Sequence, residues 1–261
     1  MYDMGVPYWK VYPYGIPIDG AFYTKKDKEI VLKEMGLNPK LPTILIMAGS
    51  FGVKNILSIY QDVLEISMYF QIIVITGRNE ELYNSIEEAA STSVTKRGKV
   101  SGHKLLRNYM SRLKSKTFKL IRVQKNRNIQ HKTNQYIDFH KRNTRILYFT
   151  KEVDKYMQTA DLIITKPGGL TITEALACNL PMAIFDAIPG QEKENADFLV
   201  SNNMAIRLEK GADSIKNLLK NSEKLKSMKS SCEIFNKSDS LKRINLLLER
   251  IYNIYNYSHL K

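Results

Sequence analysis

"DLIITKPGGLTITEALACNLPMAIF", residues 161–185, places two apolar runs on either side of a lysine, a proline, two glycines and a threonine-rich segment with a single glutamate. The runs "DLIIT" and "PMAIF" are too short for helices and too continuous for a half-solvated strand. They read as strands buried on both faces of a parallel sheet. A helix from Leu170 joins them, and Thr171 with Glu174 fits the S/T-x-x-E capping box. Gly168 and Gly169 then leave the helix N-terminus uncovered by side chains, so its amides and partial positive charge face outward, where a diphosphate is the natural occupant. The plainer alternative is a turn shaped by Pro167 and the glycines, with Thr171 and Glu174 as caps and nothing more.

The same alternation extends in both directions. Upstream, Lys25 to Met35 has helical spacing with Gly36 and Pro39 as stops. The apolar run Ile44 to Ala48 follows, then a helix over Asn55 to Met68, a strand "FQIIVITG" from Phe70 and a helix from Asn79. Next to the opening stretch lie "RILYFT" and the helix "EVDKYMQTA"; beyond it come the helix "KENADFLVSNN", a short strand "AIRLE" and a helical tail from Ala212 that ends in "SLKRINLLLERIYNIY". Strands alternating with helices at this spacing define an α/β fold with a Rossmann-like parallel sheet, whose ligands sit outside the carboxyl ends of the strands. Residues 1–20, with Pro7, Pro13 and Pro17, read as an extended linker, 21–250 as the domain, and 251–261 as a polar tail.

The chain's 261 residues, 43% hydrophobic, suffice for a substantial core. Two distant cysteines, Cys178 and Cys232, have no metal-like spacing, which argues against a disulfide framework or zinc site and fits a reducing, cytoplasmic compartment. The N-terminal residues lack the basic start and apolar core of a signal peptide, and no run is apolar and long enough to span a bilayer. The formal net charge of +14 is local: Thr95 to Arg145 holds 16 Lys or Arg and one acid, Asp138, and the remainder is near neutral. That segment, an insertion at about 91–143, reads as a mobile loop unable to bury a core of its own. After that reading comes attraction to an anionic membrane surface, and then nucleic acid, since Tyr109, Phe118, Tyr136 and Phe139 interleave with the basic residues. No RNA or DNA motif frames it, so nucleic acid is the least favoured of the three.

Two further turns carry chemistry. "MAGSFGVKN", residues 47–55, puts Gly49 and Gly52 between a buried strand and a helix, where free N–H groups can approach an anion or a sugar; it is equally a common structural turn. "PGQEKENADF", residues 189–198, follows a strand end with Gln191, Glu192, Glu194 and Asn195, acceptors and amides suited to sugar hydroxyls, or else a solvated first turn whose acids favour the helix dipole.

Taken in order, "YGIPID", "MAGSFG", "NEELY", "VDKYMQTAD" and "ITKPGGLTITEALACNLPMAIFDAIPGQEKENADFL" resemble the nucleotide-sugar domain of family 28 glycosyltransferases. The likeness is to the diacylglycerol glucosyltransferase and monogalactosyldiacylglycerol synthase branch, and more distantly to the peptidoglycan N-acetylglucosaminyltransferase. It implies the C-terminal half of a GT-B enzyme, binding UDP-glucose or UDP-galactose. Gly49, Ser50, Phe51 and Gly52 would approach the diphosphate and sugar, and Phe149, Thr150 and Val153 the uracil. Gly168, Gly169, Leu170 and Thr171 would meet the phosphates, Glu174 the ribose hydroxyls, and Glu194 and Asn195, with Gln191 and Glu192 adjacent, the sugar.

The implied reaction is metal-independent and inverting, needs no cofactor beyond the UDP-sugar substrate, and moves a hexosyl group to a lipid acceptor such as diacylglycerol, at the inner face of a membrane. In the family the general base comes from an N-terminal acceptor domain, and this sequence opens at what resembles the interdomain linker. The expectation is therefore a donor-binding half that works with a separate acceptor chain, or a non-catalytic nucleotide-sugar-binding subunit or inactive truncated product needing a partner chain. The helix "SLKRINLLLERIYNIY", which in this fold crosses back to the other domain, is expected to expose an apolar face.

Overall fold

A computed structural model of the protein describes residues 5–47, 53–91, 127–185, 187–208 and 212–259. Helix α1, Lys28–Glu34, starts three residues later than its apolar spacing suggests, because Asp27 caps it: the carboxylate accepts from the amides of Glu29 (2.8 Å) and Ile30 (3.2 Å). It stops at Gly36, whose φ of +63° lets the Leu37 amide fold back onto the Leu32 carbonyl at 2.8 Å.

Six parallel strands follow: β1 (Thr43–Met47), β2 (Gln71–Ile75), β3 (Thr144–Leu147), β4 (Leu162–Thr165), β5 (Met182–Ile184) and β6 (Ala205–Arg207). Their order is β3-β2-β1-β4-β5-β6, with Ile44 beside Ile72 on one side and Leu162 on the other. Helices α2 (Val53–Leu64), α3 (Glu80–Ser91), α4 (Arg127–Arg142), α5 (Val153–Thr159), α6 (Gly169–Ala177), α7 (Gln191–Ser201), α8 (Ala212–Lys220), α9 (Ser222–Ile234) and α10 (Ser240–His259) join and follow the strands, and short 3-10 helices lie at Tyr8–Lys10 and Gly20–Tyr23.

The continuous apolar strands serve two cores, one per face. Leu45, Ile73, Ile163 and Met182 pack with Met157 and Leu199 on one side, while Ile44, Ile72, Leu162 and Ala183 pack with Tyr60 and Ile215 on the other. Chain order reverses direction between β1 and β4. The crevice for a ligand therefore opens at the carboxyl ends of these two strands.

The basic segment departs from expectation. Most of it lies outside the described residues, Tyr109 and Phe118 included, but its last part is helix α4, and that helix does reach the core. His140 is fully buried, stacked on Phe70 with ring centroids 3.9 Å apart, its two ring nitrogens 2.9 and 2.8 Å from the Leu64 and Met68 carbonyls. Tyr136 and Phe139 pack on Tyr69 rather than standing free for nucleic acid. The spacing 136, 139, 140 forms one helical face that the surrounding charge concealed.

Burial lowers the His140 pKa from its ordinary value, against an opposing pull from the two carbonyls. The stability due to the neutral ring is thus full above about pH 6.5 and erodes as the pH falls below it. Replacing His140 by Ala is expected to cost about 2–4 kcal/mol, measured by urea unfolding at pH 7.5, through lost stacking and the loss of the one N–H that the neutral ring donates to a buried carbonyl.

The stretch read as an extended linker holds a short 3-10 turn at Tyr8–Lys10 and is anchored further along. Ser240 donates to the Tyr14 carbonyl (2.5 Å), Lys237 to the Pro13 carbonyl (2.9 Å) and Tyr23 to the Lys237 carbonyl (3.3 Å). Helix α10 runs on past residue 251, where a polar tail was expected to begin, and Ile251 and Ile254 continue its apolar spacing. Leu241, Leu248, Ile251 and Ile254 are all more than half exposed, the apolar face foreseen for this helix.

Candidate functional site

At the switch point the chain leaves β4 through Lys166-Pro167-Gly168 and enters α6. Gly168 is the N-cap, in an extended conformation (φ −72°, ψ 138°), and no side chain caps the helix. The first helical hydrogen bond runs from the Ile172 amide to the Gly168 carbonyl at 2.9 Å. The amides of Gly169, Leu170 and Thr171 therefore have no acceptor within the helix, and the N-terminus carries the equivalent of about half a positive charge.

The capping box read from the sequence is not formed. Because Gly168 and Gly169 let the helix start early, Thr171 lies inside the first turn and Glu174 a turn further on. Gly168 has an ordinary φ, so its backbone does not require glycine; a Cβ there would meet no atom within 4 Å. Open space lies over it. Gly169 is different, since a Cβ would come within 3.2 Å of Ile16 Cδ1 from the linker, so this terminus is bare of side chains at Gly168 alone.

Helix α7 braces the turn. Asn195 donates from Nδ2 to the Pro167 carbonyl (3.0 Å), leaving its Oδ1 as the group available to a ligand. Gly190, with φ +103° and ψ −139°, is the N-cap and needs the freedom of glycine. The polar run Gln191 to Glu194 is thus the first turn of the helix, not a loop before it. Glu192 reaches back to accept from the Ile188 amide (3.1 Å), a structural task, while Gln191 and Glu194 face solvent.

Glu174 is half-buried on α6. Burial pushes its carboxyl up from about 4.5 to about 7, and among the described residues no hydrogen bond or ion pair compensates it. A carboxylate held in this way is short of donors, and donors are what sugar hydroxyls offer.

Across the crevice, beyond β2 and β3, Phe149 is half exposed with the Arg78 guanidinium 4.8 Å above its ring. Thr150 accepts from the Glu152 amide (3.0 Å) ahead of α5, and Val153 packs against the core. Phe149 is placed to offer a flat surface, whereas the side chains of Thr150 and Val153 are engaged structurally. Arg78 was passed over in the sequence, although a glycine and an arginine directly after a buried strand are the signal that finds it. Gly49, Ser50, Phe51 and Gly52 lie outside the described residues. Among the described residues, no three His, Cys, Asp or Glu side chains gather to hold a metal ion.

The glycosyltransferase family 28 C-terminal domain matches residues 43–251, most of the chain. The chain belongs to this family. The processive diacylglycerol beta-glucosyltransferase of Staphylococcus saprophyticus is 33% identical over 195 residues, which cover 74% of this chain and 38% of that protein. The Bacillus pumilus protein of the same name is 30% identical over 219 residues, 82% of this chain and 45% of its own. The chain spans less than half the length of these family 28 relatives.

Among solved structures, Acinetobacter baumannii MurG superposes with a TM-score of 0.53 at 16% identity, over 92% of this chain and 58% of that one. Anabaena Alr3699/HepE in complex with UDP and glucose gives 0.50 at 13% identity, over 90% and 55%. At these identities the likeness establishes the fold: the Rossmann-like half of a GT-B glycosyltransferase.

Proposed function

We propose that this chain binds a UDP-sugar at the β1/β4 crevice and serves hexosyl transfer from it to a lipid hydroxyl. The observation that carries the reading is the uncapped N-terminus of α6 beneath open space at Gly168, at the topological switch point of the sheet. A diphosphate seated there would accept from the amides of Gly169, Leu170 and Thr171, which would also stabilise the negative charge that develops on departing UDP. Glu174, three helical positions deeper than the glutamate of a capping box should lie, would accept from the ribose hydroxyls. Phe149 would border the uracil, and Gln191, Glu194 and the free oxygen of Asn195 would meet the sugar.

The relatives' printed names support glucose as the sugar and diacylglycerol as the acceptor, and the HepE complex supports a UDP-glucose-type donor on this fold. Transfer would be metal-independent, with helix amides in the role that a cation plays elsewhere. An acceptor-binding partner and the acceptor's general base belong to the same proposal. Titrating UDP into the nitrogen-15-labelled protein tests the placement: the amide resonances of Gly168 to Thr171 are expected to shift most. Shifts confined to other parts of the chain would overturn it.

A further inference from the structure

Residues 13–18 form a strap that is held at both ends and meets the candidate site in between. At its start, Lys237 and the buried hydroxyl of Ser240, from the corner between α9 and α10, donate to the Pro13 and Tyr14 carbonyls. Gly15 suits that corner on two counts: its φ is +87°, and a Cβ would stand 2.9 Å from Ser240 Oγ. At its end, Ile18 packs against the core, and Asp19 caps the 3-10 helix Gly20–Tyr23 by accepting from the Ala21 amide at 2.9 Å. Ile16 is thereby carried to the turn ahead of α6, its Cδ1 3.2 Å from where a Cβ on Gly169 would lie. One residue earlier, Gly168 has open space over it. The bare helix N-terminus is thus open on one flank and faced with hydrocarbon on the other.

We infer that Ile16 is a positioning residue of the donor site, an apolar wall that keeps water from one flank of the α6 amides and leaves a diphosphate one approach, over Gly168. The inference rests on the donor reading above. Attraction between a helix N-terminus and an anion is weakened by water and by salt, so a group that displaces water from one flank strengthens it. A polar side chain in that place would compete with the amides for the phosphate, and a hydrocarbon does not. Ile16 is 40% exposed and belongs to neither core, so its place on the strap adds little to the packing of the domain. Ser240 and Lys237 then act on the donor site through the strap, without reaching the crevice themselves.

Isothermal titration of UDP into the full chain at about 0.05 M and about 0.5 M NaCl tests the wall. The wild type is expected to bind at both. Ile16→Ala should bind about fivefold or more weaker, and the deficit should deepen at high salt, because a flank opened to water is screened. Ile16→Leu, which restores a hydrocarbon of the same size, should recover most of the affinity and the shallower salt dependence. Ser240→Ala should weaken UDP in the same direction and add little when combined with Ile16→Ala, since both act through one contact. The unfolding midpoint of Ile16→Ala in urea should stay near that of the wild type, the position being exposed. No binding by the wild type overturns the donor reading and this inference together. Wild-type binding that Ile16→Ala leaves unaltered overturns the inference alone. A deficit that is equal at the two salt concentrations, or that Leu does not recover, also overturns it and leaves Ile16 the task of shaping the turn.

Discussion

Replacing Glu174 by Gln should weaken UDP-glucose about tenfold or more and, at the same time, stabilise the unliganded protein above neutral pH. The two effects share one cause. The folded carboxyl is raised from about 4.5 to about 7 by burial, so the folded state binds more protons than the unfolded state between these values. Stability is therefore lost as the pH rises through that window, up to about 3 kcal/mol once Glu174 is ionised, an upper limit for a group that still reaches water. Gln removes the cost, and urea unfolding at pH 8 should show the gain while unfolding at pH 4.5 shows little. The same carboxylate would accept from two ribose hydroxyls, and charge-assisted bonds are roughly twice as strong as neutral ones. Losing that difference twice amounts to about 1.4 kcal/mol, a factor of about ten.

Affinity of the wild type for UDP-glucose should also rise between pH 6 and 8 as Glu174 ionises, and the Gln variant should be flat. A Glu223→Gln control, at an exposed position on α9, should change neither property. If the Glu174 variant gained stability yet kept its affinity and pH profile, the ribose role would be wrong and the raised pKa merely a consequence of packing.

Replacing Gly168 by Ala is the complementary case, with an effect on binding and almost none on the fold. Its backbone angles suit any residue and its Cβ would touch nothing, so the loss should stay below about 1 kcal/mol, the margin between Gly and Ala at an N-cap. The methyl would occupy the space above the three free amides, where a phosphate has to approach within hydrogen-bonding distance. UDP affinity should fall about tenfold or more, and inorganic pyrophosphate should lose comparably, because the clash is with phosphate and not with the base. At Gly169 the same change would push on Ile16, so its effect on binding would be mixed with one on the linker.

The sheet was largely open to reading from the sequence because its strands are buried on both faces. "TILIM" and "QIIVI" are apolar without interruption, and such runs between turn residues leave few alternatives. Helix starts were less legible. Thr171 satisfied the letters of a capping box, but whether a helix begins at Gly169 or Leu170 depends on how Asn195 and Ile16 hold the preceding turn, and both contacts come from distant parts of the chain. His140 was hidden for a related reason: in a segment rich in Lys and Arg, three core-facing residues on one helical face do not stand out, and Phe70 and the Leu64 and Met68 carbonyls that receive the ring are about 70 residues away. Pairing of the linker with α10 spans more than 220 residues, beyond any local pattern.

At the site, α7 meets the turn that leads into α6 through Asn195 and the Pro167 carbonyl, at the carboxyl end of β4. Their division of labour came only from geometry, which gives Glu192 and the Asn195 amide structural tasks and leaves Gln191 and Glu194 exposed.

Isothermal titration of UDP into the wild type and the Gly168→Ala variant, side by side at pH 7.5, tests the central claim most directly. The account predicts one site per chain with Kd tighter than about 1 mM for the wild type and at least about tenfold weaker for the variant. No heat of binding to the wild type, or equal affinities for the two proteins, would contradict a nucleotide-sugar site at the N-terminus of α6.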